Sequence, residues 1–329
     1  MHSHHDEIKM YGEIKLYAGS GSPDLAQKIA DYLKQRLSPR EVIQFPNENI
    51  FVKLNRSARG QDVYVIQSTS SPVHYNLMEL LIMIQTIRLD SAARITVVVP
   101  YLCYGRSDKK DQPRVPITAR LVADMLEIAG ADRYMTFDPH AGQIQGFFSI
   151  PGDVLTASHM ITDHINKNLR SKMKNLVVVA TDLGFAKKGR NYAYDLDTPI
   201  AFIEKRRTSN DAKAEALTLI GDVKGSDVLI VDDEVDTGGS IAQAVKVVKR
   251  NGARNIYLAF IHPIFSDDAA ERLARLPIKH ILTTDTVSIP PKKMKPLKDR
   301  LTVISVAPML GEVIRRAHEG RSVGEMFNE

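Results

Sequence analysis

Residues 228–263 read VLIVDDEVDTGGSIAQAVKVVKRNGARNIYLAFIHP, and this stretch predicts the fold of the chain. A β-branched run ends in two aspartates, a Thr-Gly-Gly-Ser turn follows, and a segment of helical period leads to a second apolar run. Continuous apolar strands joined by a helix are typical of a parallel sheet that helices cover on both faces. The stretch therefore predicts an α/β unit.

The same alternation of apolar runs and helical segments extends over most of the chain. Eight strands are predicted, at residues 62–69, 94–100, 133–138, 176–181, 199–204, 227–233, 255–261 and 279–285, and two of them, 227–233 and 255–261, are the apolar runs described above. Because 329 residues exceed what one hydrophobic core usually organises, we expect two domains of the α/β class.

A second stretch, residues 95–140, reads as another copy of the unit, with strand, helix and strand in the same order. When the second stretch is shifted by 122 positions along the sequence, His140 falls on His262, just after the last strand of each copy. The first strands of the two copies coincide only at a shift of 131. The difference of 9 residues lies in the charged loop YGRSDKKDQPRVP (104–116) of the first copy. The pattern predicts a duplicated domain with one elongated loop, and such loops commonly carry function.

The composition excludes several classes of protein. No apolar run approaches the roughly 20 residues that span a bilayer, and the net charge of +5 is spread along the chain. Without a basic stripe, a zinc-finger spacing or an RNA-binding aromatic motif, we expect neither nucleic acid nor a membrane as a partner. The single cysteine, Cys103, favours a reducing cytoplasm, and we interpret it as a packing residue. The histidines of MHSHHDE (1–7) are interpreted as part of a frayed terminus.

The turn between strand and helix in residues 228–263 has the composition of a phosphate cradle. Its glycines let the backbone approach an anion, its hydroxyls donate hydrogen bonds, and the helix start adds N–H groups in a favourable dipole field. The residues concerned are Thr237, Gly238, Gly239 and Ser240. Asp232 and Asp233 precede them, and adjacent carboxylates suit sugar hydroxyls or a hydrated metal better than a second phosphate. The alternative interpretation is a capped turn without a ligand.

This run resembles the loop for 5-phosphoribosyl 1-diphosphate (PRPP) that type I phosphoribosyltransferases share with the ribose-phosphate pyrophosphokinase (PRPP synthase) family. The resemblance implies that Asp232 and Asp233 hold the ribose 2- and 3-hydroxyls with the help of a metal. It also implies that the segment from Asp236 to Ser240 surrounds the 5-phosphate. The loop alone does not separate the two classes, which share a substrate geometry and differ in reaction.

Two further segments favour the pyrophosphokinase family. DPHAGQIQGFFSIP (138–151) resembles its signature, which implies that His140 is a ligand of the magnesium of the nucleotide and contacts the triphosphate. IEKRRTS (203–209) resembles its catalytic segment, which implies that Lys205 and Arg207 contact the transferred group. The catalytic residues implied are thus Lys205, Arg207 and His140.

Two more segments resemble the nucleotide site of that family. YGRSDKKD (104–111) is similar to the ATP loop, and FPNENIFVKLNRSARG (45–60) is similar to the adenine segment, in which Phe45 stacks on the base from a neighbouring subunit. The ATP-binding residues implied are Phe45, Asn47, Asn49, Arg106, Ser107, Asp108, Lys109 and His140. In the same segment Ser57 and Arg59 match positions that bind a regulatory phosphate or ADP, and an ordinary loop salt bridge is the alternative.

The segment TDLGFAKKGR (181–190) resembles the diphosphate loop of the family, with Asp182 and Gly184 as matches and Asp182 as a second metal ligand. Here Phe185 replaces a glycine and Lys188 replaces an arginine. The ammonium group of lysine is a point charge, whereas the guanidinium of arginine can form two parallel hydrogen bonds to a phosphate. Phe185 does not adopt a positive φ readily.

Other positions also depart from the family pattern. Acidic residues are usual where Asn47 and Asn49 stand, a glutamine is usual at Ser107, and an arginine is usual at Lys109. An asparagine presents either an acceptor or a donor, so these positions bear on the choice of nucleotide.

The resemblance covers roughly residues 14 to 327. It implies two duplicated phosphoribosyltransferase-type domains, each a mainly parallel sheet flanked by helices, at residues 13–158 and 159–312, and a C-terminal helix at 313–329. It further implies Mg²⁺ as the cofactor, ATP and ribose 5-phosphate as substrates, a homohexamer built from dimers, and PRPP and AMP as products. Two alternatives stay open: a transferase that consumes PRPP, and a catalytically silent homologue that acts as a regulatory subunit.

Overall fold

The computed structural model describes three ranges of the chain, namely residues 11–182, 184–207 and 215–327. Residues 1–7 lie outside these ranges, and the side chains of residues 205–207, 215–216 and 327 are also outside the description. The chain forms two compact units. Unit 1 combines the chain up to Leu155 with the segment from Ala307 onward, and unit 2 comprises Thr156–Val306.

Unit 1 contains a parallel five-stranded sheet with helices. Its elements before the crossing into unit 2 are β1 (Ile14–Ala18), α1 (Pro23–Leu33), β2 (Arg40–Gln44), β3 (Ile50–Leu54), β4 (Asp62–Ile66), α2 (Val73–Leu89), β5 (Arg94–Val98), α3 (Thr118–Ala129), β6 (Arg133–Phe137) and β7 (Gly152–Leu155). The sheet order is β1-β4-β5-β6-β7, and every neighbouring pair is parallel. β2 and β3 form a separate antiparallel hairpin.

Unit 2 contains a seven-stranded sheet. Its elements are α4 (Ser158–Asn168), β8 (Val177–Ala180), α5 (Ala186–Asp195), β9 (Ile200–Arg207), β10 (Glu215–Ile220), β11 (Val228–Val235), α6 (Gly239–Arg250), β12 (Ile256–Pro263), α7 (Ala269–Ala274), β13 (Ile278–Thr284), α8 (Pro291–Met294) and β14 (Leu301–Ile304). The order is β10-β9-β8-β11-β12-β13-β14, and β10 is the antiparallel edge strand. The predicted α/β class is confirmed.

The predicted repeat corresponds to two similar parts of the fold. In unit 1, α3 connects the parallel neighbours β5 and β6, and in unit 2, α6 connects the parallel neighbours β11 and β12. Each helix buries one apolar face, through Val122 and Leu126 in α3 and through Val245 and Val248 in α6. Each of the eight predicted strands is present, because runs buried on both faces are unambiguous in sequence.

The last helix, α9 (Ala307–Glu319), belongs to unit 1 and begins before residue 313. It is fastened to β4 and β5 around the fully buried carboxylate of Asp62, which accepts bonds from Arg94 at 2.8 and 2.6 Å. His318 Nδ1 lies 2.8 Å from the same carboxylate, and Arg94 also donates to the carbonyl oxygen of Ala317 at 3.0 Å. A charged cluster thus ties the end of the chain to the sheet.

Among the described residues, no helix is long and apolar enough to cross a bilayer.

Candidate active site

The paired aspartates lie at the carboxyl end of the central strand of unit 2. Thr181, which follows the neighbouring strand β8, donates its hydroxyl to Asp232 Oδ2 at 2.9 Å. The backbone N–H of Asp233 donates to Asp232 Oδ1, also at 2.9 Å. The N–H of Glu234 donates to Asp233 Oδ1 at the same distance. These bonds hold two carboxylates side by side at the edge where ligands of parallel sheets bind.

Burial raises the pKa of Asp232 well above its ordinary value, and the neighbouring charge of Asp233 raises it further. The hydrogen bond from Thr181 acts in the opposite direction and is the smaller effect. Two adjacent carboxylates of this kind resist carrying two charges at once. A hydroxyl donor or a cation at this place would relieve that repulsion.

The turn after β11 has the backbone that a phosphate cradle requires. Gly238 adopts φ +73° and ψ 7° and precedes the first residue of α6. A side chain at this left-handed position is strained, although a Cβ would meet no atom closer than 3.7 Å. Thr237 and Ser240 are exposed on either side, and the first N–H groups of α6 have no acceptor within the helix. The arrangement can hold an anion.

The segment predicted as a diphosphate loop connects β8 to α5. Asp182 Oδ1 accepts the backbone N–H of Phe185 at 2.8 Å, just before the helix begins. A Cβ at Gly184 would lie 3.1 Å from this carboxylate oxygen, so the loop folds tightly over Asp182. Phe185 has φ −84° and a buried ring, so the replacement of glycine requires no positive φ here. Lys188 Nζ lies 5.8 Å from the centre of that ring.

Lys205 and Arg207 lie on β9, which is the neighbour of β8 on the side opposite β11. Their backbones pair with Leu217 and Glu215 of β10, so both residues lie on a regular two-stranded extension of the sheet. Their side chains are outside the described residues.

In unit 1, the ATP loop and the segment of His140 come together at the carboxyl ends of β5 and β6. A Cβ at Gly105 would lie 3.3 Å from Cβ of His140, so glycine allows close contact. The segment of His140 is anchored by Ile144, which is 2% exposed, and by Phe148, whose ring stacks on Tyr134 at 3.8 Å. His140 itself is exposed. Unit 1 thus also brings predicted site residues together at the ends of its strands.

Ser107 and Asp108, which are predicted to bind ATP, make hydrogen bonds that hold the loop in place. Ser107 Oγ accepts the backbone N–H of Thr118 at 3.2 Å and thereby caps the first residue of α3. The buried carboxylate of Asp108 accepts a hydrogen bond from Gln143 Nε2, which belongs to the segment of His140. Lys109 and the residues that follow it are exposed. The base of the loop is therefore fixed, and its basic tip is accessible.

The predicted adenine segment forms the β2–β3 hairpin and its turn. The rings of Phe45 and Phe51 are 45% and 44% exposed, and their centroids are 6.3 Å apart. Asn47 Oδ1 accepts the backbone N–H of Asn49 at 3.2 Å, so the amide group of Asn47 remains available as a donor. Glu48 occupies the tight position of the turn, with φ +66°.

The predicted regulatory positions lie beside a carboxylate. Ser57 Oγ donates to Asp90 Oδ2 at 3.0 Å, and the N–H of Ala58 donates to the same oxygen. Arg59 N donates to Ser57 Oγ at 3.2 Å. An anion at this turn would therefore meet the charge of Asp90.

The predicted metal ligands are divided between the units, with His140 in unit 1 and Asp182 in unit 2. Within the described ranges, no group of three or more histidine, cysteine or acidic residues is arranged to enclose a metal ion. Mg²⁺ commonly keeps several waters and binds one or two carboxylates together with substrate phosphates. Single residues such as those predicted here suit that mode of binding.

Thr181, Asp90 and Gln143 are polar contacts that the sequence analysis did not single out. Thr181 could have been found, because it directly follows an apolar strand and precedes Asp182. Asp90 and Gln143 could not, since their partners are brought to them only by the fold.

Parallel sheets with paired carboxylates and a phosphate cradle at their strand ends are typical of α/β enzymes that act on phosphorylated small molecules. Residues 14–130 match the model of the N-terminal domain of ribose phosphate pyrophosphokinase, and residues 208–328 match that of the phosphoribosyl synthetase-associated domain. The chain belongs to the ribose-phosphate pyrophosphokinase family.

Relatives of known name resemble the chain along almost its whole length. It is 42% identical over 314 residues to the ribose-phosphate pyrophosphokinase of Aquifex aeolicus, covering 95% of this chain and 99% of that one. It is 43% identical over 315 residues to that of Caldanaerobacter subterraneus, with 95% and 98% covered. The crystal structure of phosphoribosylpyrophosphate synthetase from Mycobacterium smegmatis matches with a TM-score of 0.88 and 39% identity, covering 94% and 99% of the two chains.

Proposed function

We propose that this chain is a ribose-phosphate diphosphokinase that converts ATP and ribose 5-phosphate into AMP and PRPP. The 1-hydroxyl oxygen of the sugar attacks the β-phosphorus of ATP in line with the bond to the α–β bridging oxygen. That bond breaks, AMP leaves, and the hydroxyl proton passes to solvent. The observation that carries the proposal is the joined arrangement of Asp232, Asp233 and the Gly238 turn, which suits a sugar diol on one side and a phosphate on the other.

The acceptor is held by β11 and the turn that follows. Asp232 and Asp233 accept hydrogen bonds from the 2- and 3-hydroxyls, and the segment from Asp236 to Ser240 binds the 5-phosphate. Because both parts belong to one strand-turn-helix element, the distance between them is fixed. The 1-hydroxyl is thereby placed for attack, which is the main requirement of a diphosphoryl transfer.

The nucleotide is held by the loop and signature of unit 1. Arg106 and the exposed Lys109 contact the phosphates, and His140 lies at the adjoining strand end. Phe45 stacks on adenine from a neighbouring subunit, for which its exposed ring is suited. A homohexamer and a cytoplasmic location stay predictions.

Mg²⁺ would be bound by the substrate phosphates, with His140 and Asp182 each proposed as a ligand, and it would neutralise charge on the transferred group. Lys205 and Arg207 act on the charge that develops on the bridging oxygens as the α–β bond breaks. Donors placed for that charge lower the barrier more than they tighten substrate binding.

The test is an AMP-release assay with purified protein, Mg²⁺, ATP and ribose 5-phosphate, with PRPP measured in parallel. We expect AMP and PRPP in equal amounts, and no AMP when the sugar is omitted. Consumption of PRPP with free bases, without AMP release, would identify a phosphoribosyltransferase. Binding of both substrates without turnover would identify a catalytically silent subunit.

A further inference from the structure

The loop that follows β12 runs alongside the turn that follows β11. The N–H of Phe265 donates to the carbonyl oxygen of Val235 at 2.9 Å, and the N–H of Ser266 donates to that of Asp236 at 3.0 Å. These bonds continue the contact of the two strands beyond their ends. They fix the position at which α7 begins, directly beside the phosphate cradle.

Helix α7 packs against this cradle through its first turn. A Cβ at Gly238 would lie 3.7 Å from the carbonyl oxygen of Ala269 and 3.8 Å from Cδ2 of Leu273. Both residues are buried, so the contact is part of the packed core of unit 2. The helix therefore cannot shift without disturbing the turn.

Arg272 of α7 extends to the start of α6. Its Nη1 lies 3.8 Å from the position that a Cβ on Gly239 would take, and Thr237 Oγ1 lies 3.7 Å from the same position. A guanidinium nitrogen and a cradle hydroxyl therefore approach one point. An anion bound at the turn would be within reach of both groups.

The guanidinium is oriented and accessible. Its Nη2 donates to Asp268 Oδ1 at 2.9 Å, one helical turn earlier, which limits the rotation of the group. The side chain of Arg272 is 40% exposed, so a ligand can reach it from solvent. An arginine fixed by one partner and open on another edge is suited to bind a phosphate.

A cation beside the cradle would strengthen its binding of a phosphate. The cradle's own groups are neutral N–H donors and hydroxyls, and four carboxylates, those of Asp232, Asp233, Glu234 and Asp236, lie in the same nine-residue segment. A phosphate monoester carries a charge of about −1.5 to −2 near neutral pH. Without a positive group, the phosphate would enter a field of like charge.

We propose that Arg272 binds the 5-phosphate of the sugar substrate and makes the acceptor site selective for phosphorylated pentoses. This inference rests on the proposed function, because it concerns the same acceptor site. Arg272 acts on binding and not on the transferred diphosphate. Loss of the residue is therefore expected to change the affinity for ribose 5-phosphate and to leave that for ATP unchanged.

The experiment compares wild type with Arg272→Ala, Arg272→Lys and Arg275→Ala. Arg275 is an exposed arginine just after the same helix, so its removal costs the same charge without touching the cradle. Binding of ribose 5-phosphate is measured by titration calorimetry, and the KM values for both substrates are measured by AMP release. A charged hydrogen bond of this kind corresponds to roughly a tenfold to hundredfold change in affinity.

We expect Arg272→Ala to lose affinity for ribose 5-phosphate by tenfold or more. Arg272→Lys should lose less than Arg272→Ala, and the affinity of Arg275→Ala should change by less than twofold. The ATP KM stays within twofold in all three. An Arg272→Ala protein that binds the sugar phosphate within twofold of wild type would overturn the inference, and so would equal losses for both substrates. If Arg272→Ala does not fold, Arg272→Gln is judged by the same criteria.

The proposed enzymatic function and the proposed role of Arg272 can be tested separately. If wild type binds ribose 5-phosphate without releasing AMP, the calorimetric comparison still decides the role of Arg272. If wild type does not bind ribose 5-phosphate, both proposals are wrong.

Discussion

The surroundings of Asp232 disfavour the ionised form of its carboxyl group. Burial and the adjacent charge of Asp233 raise its pKa, and the hydrogen bonds from the Thr181 hydroxyl and the Asp233 N–H compensate only in part. Such an arrangement lowers the stability of the empty site, and a bound sugar diol or Mg²⁺ would remove the penalty. The stability of the protein should therefore depend on this single carboxylate in a direction set by pH.

We predict that Asp232→Asn raises the Tm by a few degrees, roughly 2–4 °C, at neutral pH in the absence of substrates. A pKa raised in the folded state means that stability is lost as pH rises from about 4, the ordinary value of an aspartate, through the folded value. The gain in Tm of Asp232→Asn over wild type should become smaller toward pH 4, and thermal unfolding between pH 4 and 8 measures this difference. Asp299→Asn, at an exposed position, is the control. A gain that is equal at all pH values would contradict the prediction.

Lys205 is a residue whose role should be confined to the transition state. We predict that Lys205→Ala lowers kcat by about 10²–10³-fold and changes either KM much less, because a lost donor to developing charge costs that much. Its backbone pairing with Leu217 is retained in the variant. Lys246→Ala, on the exposed face of α6, is the control for loss of a positive charge. A Lys205→Ala protein within threefold of the wild-type kcat would remove this residue from the mechanism.

Strand ends and the turns that follow them position the acceptor chemistry. The turn of Gly238 depends on a left-handed φ, and Gly225 has almost the same φ of +72° in a turn where a Cβ would meet nothing within 4 Å. The two glycines therefore share a backbone requirement and differ in function. They make a matched pair for separating strain from ligand binding.

We predict that Gly238→Ala and Gly225→Ala each lower the free energy of unfolding by about 1–2 kcal/mol, the cost of a left-handed alanine. Only Gly238→Ala should also raise the KM for ribose 5-phosphate, by roughly tenfold, because the strained turn redirects the N–H groups of the cradle. Denaturant unfolding and AMP release measure the two effects. Equal KM values in the two variants would show that this turn does not bind the sugar phosphate.

The turn of the β2–β3 hairpin is expected to influence the selection between ATP and GTP. Asn47 uses its carbonyl oxygen within the turn, which leaves its amide N–H groups as the donors of this side chain. A donor no longer repels the 6-oxo group of guanine, so discrimination against GTP should be weak. We predict that the double change Asn47→Asp with Asn49→Glu raises the ratio of kcat/KM for ATP over GTP. Glu48→Gln tests whether the intervening carboxylate performs the selection, and an unchanged ratio in the double variant would exclude both asparagines.

At the scale of the whole molecule, the chain leaves unit 1 after Leu155 and returns to it at Ala307. The return is held by the cluster around Asp62, whose partners Arg94 and His318 come from β5 and α9. The folding of unit 1 thus depends on two segments that are far apart in the sequence.

We predict that Asp62→Asn destabilises the protein by about 3–5 kcal/mol, since it leaves the largely buried guanidinium of Arg94 without its counter-charge. Denaturant unfolding measures the loss, and proteolysis should release α9 first. Asp124→Asn is the control, because Asp124 pairs with Arg120 on the surface and should contribute under 1 kcal/mol. A loss as small as that of the control would show that the cluster does not hold α9.

Several features could be predicted from the sequence because they depend on residues close together in the chain. Runs such as 228–235 alternate with helical periods, and this local pattern determined the α/β class and the repeat. The Thr-Gly-Gly-Ser turn is likewise local, so its cradle could be anticipated. Short or mixed strands such as β1, β7 and β14 lack a distinct period, and they were not predicted.

Tertiary structure alone decided the contacts between distant residues. The pattern around Phe185 suggested strain, whereas Phe185 itself adopts an ordinary right-handed backbone and its ring is buried. Asp62 and His318 are 256 positions apart, and Arg272 reaches Gly239 only because two strand-end loops are hydrogen bonded side by side. Periodicity and turn chemistry are properties of neighbours along the chain, whereas these partners are set by how the sheet and its helices pack, which no local pattern encodes.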